Sequence, residues 1–183
     1  MQTEFPKFTY TLKQPGVAYA TLSMNGNKVE FDLTNISNPL GDMLEGLVGM
    51  IITPSHIWSE DNVCHVIWYS ESSSYNWHIR RIDDKMCEVQ ITESVDFFGD
   101  DTETEQLLFS CPFLQLIHCF VSELDHFMKK SGLLNYSQQW QKDDFPVTPF
   151  LFLKKTLIDN GLWKNNTNAG KNILADEIKL LLL

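Results

Sequence analysis

Residues 109–132 form the stretch that most constrains how this chain can fold. Apolar side chains recur there at the spacing of one helical face: Phe113, Leu116, Ile117, Phe120, Leu124 and Phe127. Pro112 suits the first turn of a helix, and Gly132 suits a left-handed cap at its end. A helix of about 20 residues is about 30 Å long, which is the width of a small domain. We therefore predict one central helix, with Phe120 and Leu124 fully buried in the core.

The chain before this helix has mostly the patterns of strands. Six segments are predicted as strands: residues 8–12, 17–24, 28–33, 63–69, 75–82 and 86–92. Asn25-Gly26 is a strong hairpin signal because both residues tolerate positive φ. Between the two strand groups, Asn38 and Pro39 begin a segment with helical spacing. The order βββαβββ followed by helices predicts the α+β class, with one antiparallel sheet of about six strands, made of two three-stranded meanders, and helices over one face.

Length and composition favour a single cytoplasmic domain. A chain of 183 residues fits one domain, which we place at residues 1–163. Residues 164–183 are predicted as a polar linker and a short amphipathic helix. No apolar run reaches the roughly 18 residues of a membrane span, and the N-terminus lacks a signal-peptide pattern, so we expect no membrane contact. The four cysteines are expected to be reduced, metal-free thiols: Cys64, Cys87, Cys111 and Cys119.

The net charge of −10 is concentrated in one interval. None of the 14 lysines and arginines lies in residues 86–128, whereas nine carboxylates do: Glu88, Glu93, Asp96, Asp100, Asp101, Glu103, Glu105, Glu123 and Asp125. Such a segment repels the phosphates of nucleic acid and attracts a basic surface. We expect a basic protein partner and no direct binding of nucleic acid.

Residues 94–105 are predicted as an acidic loop that meets this partner. Phe97-Phe98 lies among carboxylates, and an exposed aromatic anchor with surrounding charge is typical of a binding surface. Trp and Tyr residues near other carboxylates supply a second group of candidates. The candidate partner-binding residues are Asp96, Phe97, Phe98, Asp100, Asp101, Glu103, Glu105, Trp58, Glu60, Asp61, Glu71 and Tyr75. An ordinary solvated acidic loop with one Phe turned inward is the alternative. For Trp68 and Trp77, packing on a sheet is the favoured interpretation.

The sequence predicts no catalytic site, metal site or cofactor. Cys64-His65 and His118-Cys119 are the adjacent Cys and His pairs, and adjacent residues of a strand or helix point to different faces. No nucleophile elbow, phosphate loop or metalloprotease motif is present. A Cys–His nucleophile assembled in space stays open, because such partners meet in the fold and not in the sequence.

Several short motifs resemble those of known bacterial proteins. They are Tyr10-Thr-Leu, Gly16-Val-Ala-Tyr-Ala, Asn38-Pro-Leu-Gly-Asp-Met-Leu, Trp68 with Glu71 and Trp77, residues 136–140, and Phe145-Pro146. Over residues 8–157 the chain resembles small uncharacterised bacterial proteins, and it is similar in style to immunity proteins of contact-dependent inhibition and other polymorphic toxin systems. The resemblance implies a cytoplasmic protein that binds and blocks one cognate toxin, commonly a basic nuclease.

Charge and resemblance together predict an immunity protein that is not an enzyme. Its acidic surface would cover the active site or substrate groove of a basic toxin. Two alternatives remain: a binding or adaptor module for another basic protein, and a small hydrolase.

Overall fold

The computed structural model describes residues 5–52, 62–97, 100–164 and 172–180, and it confirms the α+β class. Twelve elements follow one another in these residues: β1 (Lys7–Gln14), β2 (Val17–Met24), β3 (Asn27–Thr34), α1 (Pro39–Ile52), β4 (Val63–Tyr69), β5 (Ser74–Arg81), β6 (Met86–Phe97), β7 (Asp100–Pro112), α2 (Phe113–Ser131), α3 (Leu133–Trp140), α4 (Val147–Asp159) and α5 (Ile173–Leu180). The central helix, the first meander and α1 lie where the sequence predicts them.

The strands form two antiparallel sheets, so the prediction of one six-stranded sheet is wrong. The first sheet has the order β1-β2-β3, and the second has the order β4-β5-β6-β7. The additional strand, β7, includes residues 100–105, which were predicted as a loop, and residues 107–110, for which the sequence allows either a short edge strand or the first turn of the central helix. β6 continues to Phe97, and β7 begins at Asp100. Residues 100–105 are polar at every position, so they carry no apolar alternation that could indicate a strand.

One core joins the two sheets. The Phe31 ring of β3 lies 5.1 Å from the Trp68 ring and 5.2 Å from the Trp77 ring, both on the second sheet. From α2, the Phe120 ring lies 4.4 Å from Phe8 on the first sheet and 6.0 Å from Trp77 on the second. The tryptophans are buried, as the packing interpretation requires. Because α2 contacts both sheets, it holds them together as one unit.

The central helix is buried as the sequence predicts. Phe120 and Leu124 are both 0% exposed, which confirms the prediction for these two side chains. The helix ends at Ser131, and Gly132 follows with a φ of 81°, a conformation that favours glycine. No helix among the described residues is long and apolar enough to cross a membrane.

Helix α1 packs closely on β4. Its first turn is capped by Asn38, whose Oδ1 accepts a hydrogen bond of 3.1 Å from the Gly41 amide. The Trp68 indole N–H donates to the Pro39 carbonyl at 2.9 Å and fixes the helix start against the second sheet. A Cβ on Gly46 would collide with the Cys64 sulfur. Glycine at this position therefore allows the close approach of helix and strand.

Two carboxylates of α2 have structural roles. Glu123 accepts a hydrogen bond of 3.2 Å from the Tyr10 amide on the edge strand β1. Asp125 is buried and forms ion pairs with Lys129 at 2.6 Å and with Lys154 of α4 at 2.5 Å. Each carboxylate therefore joins α2 to a neighbouring element.

The C-terminal helix α5 contacts the junction of α2 and α3. Glu177 of α5 accepts a hydrogen bond of 2.5 Å from the Leu133 amide, which is the first amide of α3. The positive end of a helix favours such a carboxylate. This contact connects the end of the chain to the body of the fold.

Candidate partner-binding face

The four-stranded sheet has two unlike faces. One face supplies Trp68, Trp77 and Ile91 to the core. The opposite face, which we call the outer face, consists of four rows across β4, β5, β6 and β7: Val63 with Arg80, Glu88 and Ser110; His65 with His78, Gln90 and Leu108; Ile67 with Asn76, Thr92 and Glu105; and Tyr69 with Ser74, Ser94 and Glu103. Because strand residues alternate between faces, this register fixes which side chains lie together.

The β7 side of the outer face is acidic. Glu103 and Glu105 are exposed, and their hydrogen-bond donors are uncharged. The Thr92 hydroxyl donates to Glu103, and the Gln90 amide donates to Glu105 at 3.0 Å. In the four rows, Arg80 is the one arginine or lysine, and it pairs with Glu88 at 2.9 Å. The two β7 carboxylates therefore keep their negative charge facing solvent.

Apolar side chains lie on the same face. Ile67 and Tyr69 of β4 are 43% and 39% exposed, and Leu108 of β7 is 51% exposed. Protein interfaces combine apolar and aromatic contacts with a polar, charged rim. The outer face has these parts: Ile67, Tyr69 and Leu108 supply apolar area, and Glu103 and Glu105 supply charge.

A pair of histidines lies on β4 and β5, in the row next to Ile67. His65 and His78 are direct cross-strand partners, and their rings stack with centroids 4.4 Å apart and planes at 9°. Burial lowers the pKa of His78, and the neighbouring His65 and Arg80 lower it further. The His78 imidazole is therefore neutral at neutral pH.

The predicted site residues divide between several places. Glu103 and Glu105 lie on the outer face, and Glu71 lies in the β4–β5 turn, where it lines a shallow hollow together with Tyr69 and Ser94. Tyr75 points away from this face and packs edge-on against Phe31, with ring centroids 4.9 Å apart. The structure therefore brings three of the predicted carboxylates to one end of the sheet and directs Tyr75 toward the core.

The end of the hairpin is described in its backbone only. The register pairs Asp96 with Asp101 and Phe97 with Asp100, beyond the fourth row of the outer face. Four of the predicted residues lie outside the described residues: Trp58, Glu60, Asp61 and Phe98.

The acidic interval of the sequence divides between two elements. Seven of its nine carboxylates belong to the β6–β7 hairpin, and the other two, Glu123 and Asp125, belong to α2. Those two carboxylates bond to Tyr10 and to lysines, as described above. The interval therefore contributes a hairpin surface and, separately, two structural contacts.

Sequence reasoning missed the apolar and histidine part of the outer face: His65, Ile67, Tyr69, His78 and Leu108. The alternation within β4 does indicate that His65, Ile67 and Tyr69 share one face. It does not show that His78 lies beside His65, or that Leu108 belongs to the same sheet. Those contacts depend on the register of β5 and on the strand β7.

The four cysteines are free and buried. Burial raises the pKa of Cys64 to about 11 and that of Cys119 well above its usual range. The Cys119 thiol donates to the Leu116 carbonyl at 3.0 Å, whereas the neighbouring His118 lies within 3.3 Å of the Ser122 hydroxyl. A protonated thiol is the unreactive form. Among the described residues, no group of three or more Cys, His, Asp or Glu side chains is arranged to hold a metal ion.

Comparisons with protein-family models, curated proteins and solved structures find no match to this chain.

Proposed function

We propose that this chain is a binding protein that captures a basic protein partner on its outer face, and that it acts as an immunity protein against a nuclease toxin. The observation that carries the proposal is the segregation of charge on the β6–β7 hairpin. Residues 86–112 contain seven carboxylates and no lysine or arginine. Glu103 and Glu105 are exposed there with uncharged donors. Such a surface attracts a basic partner over long range and raises the rate of association.

The carboxylates would act by taking the place of substrate phosphates. A nuclease binds its substrate in a basic groove, because most of that contact is made with phosphate oxygens. Glu103 and Glu105 present negative oxygens from adjacent rows of a rigid sheet, which suits such a groove. Tyr69, Ile67 and Leu108 supply apolar area, which holds a complex together after charge has brought it into contact.

A binding or adaptor module for a non-toxic basic protein is the second candidate. It would use the same face and the same charges, so the same observation supports it. The two candidates differ in the consequence of binding, because only an immunity protein protects a cell from its partner.

The test uses the toxin domain expected from the gene that lies beside the one for this chain. We expect Glu103→Gln with Glu105→Gln to slow association at low salt toward the range of about 10⁵–10⁶ M⁻¹s⁻¹ that is typical without steering. The difference from the unmodified chain should decrease at high salt, because salt screens charge. Stopped-flow binding at two salt concentrations measures both effects.

A matched control lies on the first sheet. Glu30→Gln with Asp32→Asn removes the same charge from exposed strand positions, but these carboxylates pair with Lys28 and Lys13. We expect this control to associate at the unmodified rate. If the Glu103 and Glu105 variant also associates at that rate at low salt, the outer face is not the docking surface. Normal binding without protection of cells from the toxin would favour the adaptor function.

A second pair of variants tests the apolar part of the face. Tyr69→Ala should increase the dissociation rate by about tenfold or more, since loss of a desolvated aromatic anchor costs 1.4 kcal/mol or more in binding. Tyr19→Ala, at an outward position of the first sheet, is the matched aromatic control. Equal dissociation rates for the two variants would exclude Tyr69 as an anchor.

A further inference from the structure

We propose that His65 and His78 form a two-histidine site for a divalent late transition-metal ion, Zn²⁺, Ni²⁺ or Cu²⁺. The two residues are direct partners on β4 and β5 and both face outward. Their rings lie parallel, with centroids 4.4 Å apart. Imidazole nitrogen is a preferred ligand of these three ions. The site goes beyond the capture of a basic partner, because it depends on two imidazole rings and not on carboxylates.

The geometry fits a chelate. Metal–nitrogen distances of about 2.0–2.1 Å place two neighbouring ligand atoms about 2.9–3.4 Å apart in square-planar or tetrahedral arrangements. In parallel stacked rings the nitrogen lone pairs lie in the ring planes and point side by side, so each imidazole must turn about its side-chain torsions before both rings direct a nitrogen at one ion. The sheet register holds the two backbones in place before any ion arrives. One ion can therefore bind both rings without a change of the fold.

The surroundings permit a cation. Arg80, the nearest positive side chain in the four rows, is paired with Glu88 at 2.9 Å. Gln90 continues the same row beyond His78 and is neutral. His65 is exposed, so an ion can approach from solvent, and water can complete the coordination. Mg²⁺ and Ca²⁺ prefer oxygen ligands and should not bind here.

A bound ion would affect the face on which it lies. It would join β4 to β5 through their side chains and add positive charge beside Ile67, which lies in the next row of β4. A partner that supplies its own ligand atom to the open coordination positions would then bind more tightly with the metal than without it.

The test titrates metal-free protein with ZnCl₂ and follows heat together with the side-chain nitrogen NMR signals of the histidines. We expect one ion per chain, with His65 and His78 shifting together. Because two ligands on one support act with a high effective concentration, His65→Gln or His78→Gln should each weaken binding by about 100-fold. His126→Gln, at an exposed position of α2, is the matched control and should bind like the unmodified chain. MgCl₂ should give no signal.

Two results would overturn the site. One is unchanged zinc affinity in either single variant, and the other is the absence of a saturating signal from the two rings in the unmodified chain. Circular dichroism of each variant separates loss of the ligand from loss of the fold. Partner binding is measured in EDTA, and Glu103→Gln with Glu105→Gln should leave zinc affinity unchanged. Failure of the metal site and failure of the proposed partner binding are therefore distinguishable.

Discussion

The outward-facing surfaces of the two sheets differ in how their charged side chains are arranged. On the first sheet, Lys13 pairs with Asp32 at 3.4 Å, and Lys28 pairs with Glu30 at 2.6 Å. The Lys13 ammonium also lies 4.1 Å from the centre of the Tyr19 ring. Positive and negative groups alternate there, so the field of each is cancelled within a few ångströms.

On the outer face of the second sheet the signs are separated. Arg80 and Glu88 cancel each other in the first row, whereas Glu103 and Glu105 receive hydrogen bonds from neutral groups. The comparison teaches that the number of charges does not distinguish a solvated surface from a docking surface. Their arrangement does, because only an unbalanced face attracts a partner over distance.

The largest expected effect tests whether the two sheets belong to one cooperative unit. Phe120→Ala should lower the free energy of unfolding by about 3–5 kcal/mol and Leu124→Ala by about 2–5 kcal/mol, because each leaves a cavity in the core. Phe120 contacts both sheets, so both should lose structure in one transition. Urea unfolding followed by tryptophan fluorescence and by circular dichroism measures this.

A control for these variants lies on the surface. Leu108→Ala removes an apolar side chain that is 51% exposed, and it should change stability by much less. Two separate unfolding transitions in the Phe120 variant would contradict this prediction, because the two sheets would then unfold as independent units.

The next effect concerns the inner side of the second sheet. Cys64, Cys87 and Cys111 face the core there, and Cys119 lies on α2. We expect Ellman's reagent to find four thiols in denaturant and to react very slowly with the folded chain, because all four thiols are buried away from the reagent. Rapid reaction of one thiol in native buffer would show that the inner face opens to solvent. Metal analysis of a variant with both His65→Gln and His78→Gln should show no bound metal ion, because a protonated thiol is not a metal ligand.

The smallest effect concerns one titration on the first sheet. A hydrogen bond to Glu30 raises the pKa of Tyr19 to about 12. A folded-state pKa above the ordinary value means that the folded chain holds the proton more tightly than the unfolded chain does. The stabilisation is therefore complete below pH 10 and is lost as the pH rises toward 12. Carbon-13 NMR of the tyrosine ring should show this late titration, and Glu30→Gln should return it toward the ordinary value. An unchanged Tyr19 pKa in that variant would mean that the hydrogen bond between Tyr19 and Glu30 is not formed.

Most of the fold could be predicted from apolar spacing. The first meander, α1 and α2 all have one apolar face, and that face is what packs on the core. β7 could not be predicted over residues 100–105, because all six residues there are polar and so show no alternation of apolar and polar side chains. The division into two sheets could not be predicted either, because local spacing contains no information on which strands are hydrogen-bonded neighbours.

The candidate site could be predicted only in its charged part. Glu103 and Glu105 stand out because no cation is near them in the sequence. His78 does not stand out in the sequence, because its role depends on its cross-strand partner His65, and the strand register alone brings the two together. Tyr75 is of a residue type that is common in binding sites, but its position in the strand directs its side chain toward Phe31. The absence of lysine and arginine therefore identifies the hairpin in the sequence, whereas only the strand register shows which side chains share the outer face.

The bond between Glu123 and the Tyr10 amide has a consequence for how copies of this chain meet one another. Tyr10 lies on β1, the edge of the first sheet, where unpaired amides can recruit a strand from another molecule. Glu123 accepts a hydrogen bond from one of these amides, and in the turn that follows β1 the Gly16 amide donates to the Gln139 carbonyl at 2.7 Å. The chain thus terminates its own sheet with groups from α2 and α3. Growth of a fibre by strand addition at β1 would first have to displace these internal partners.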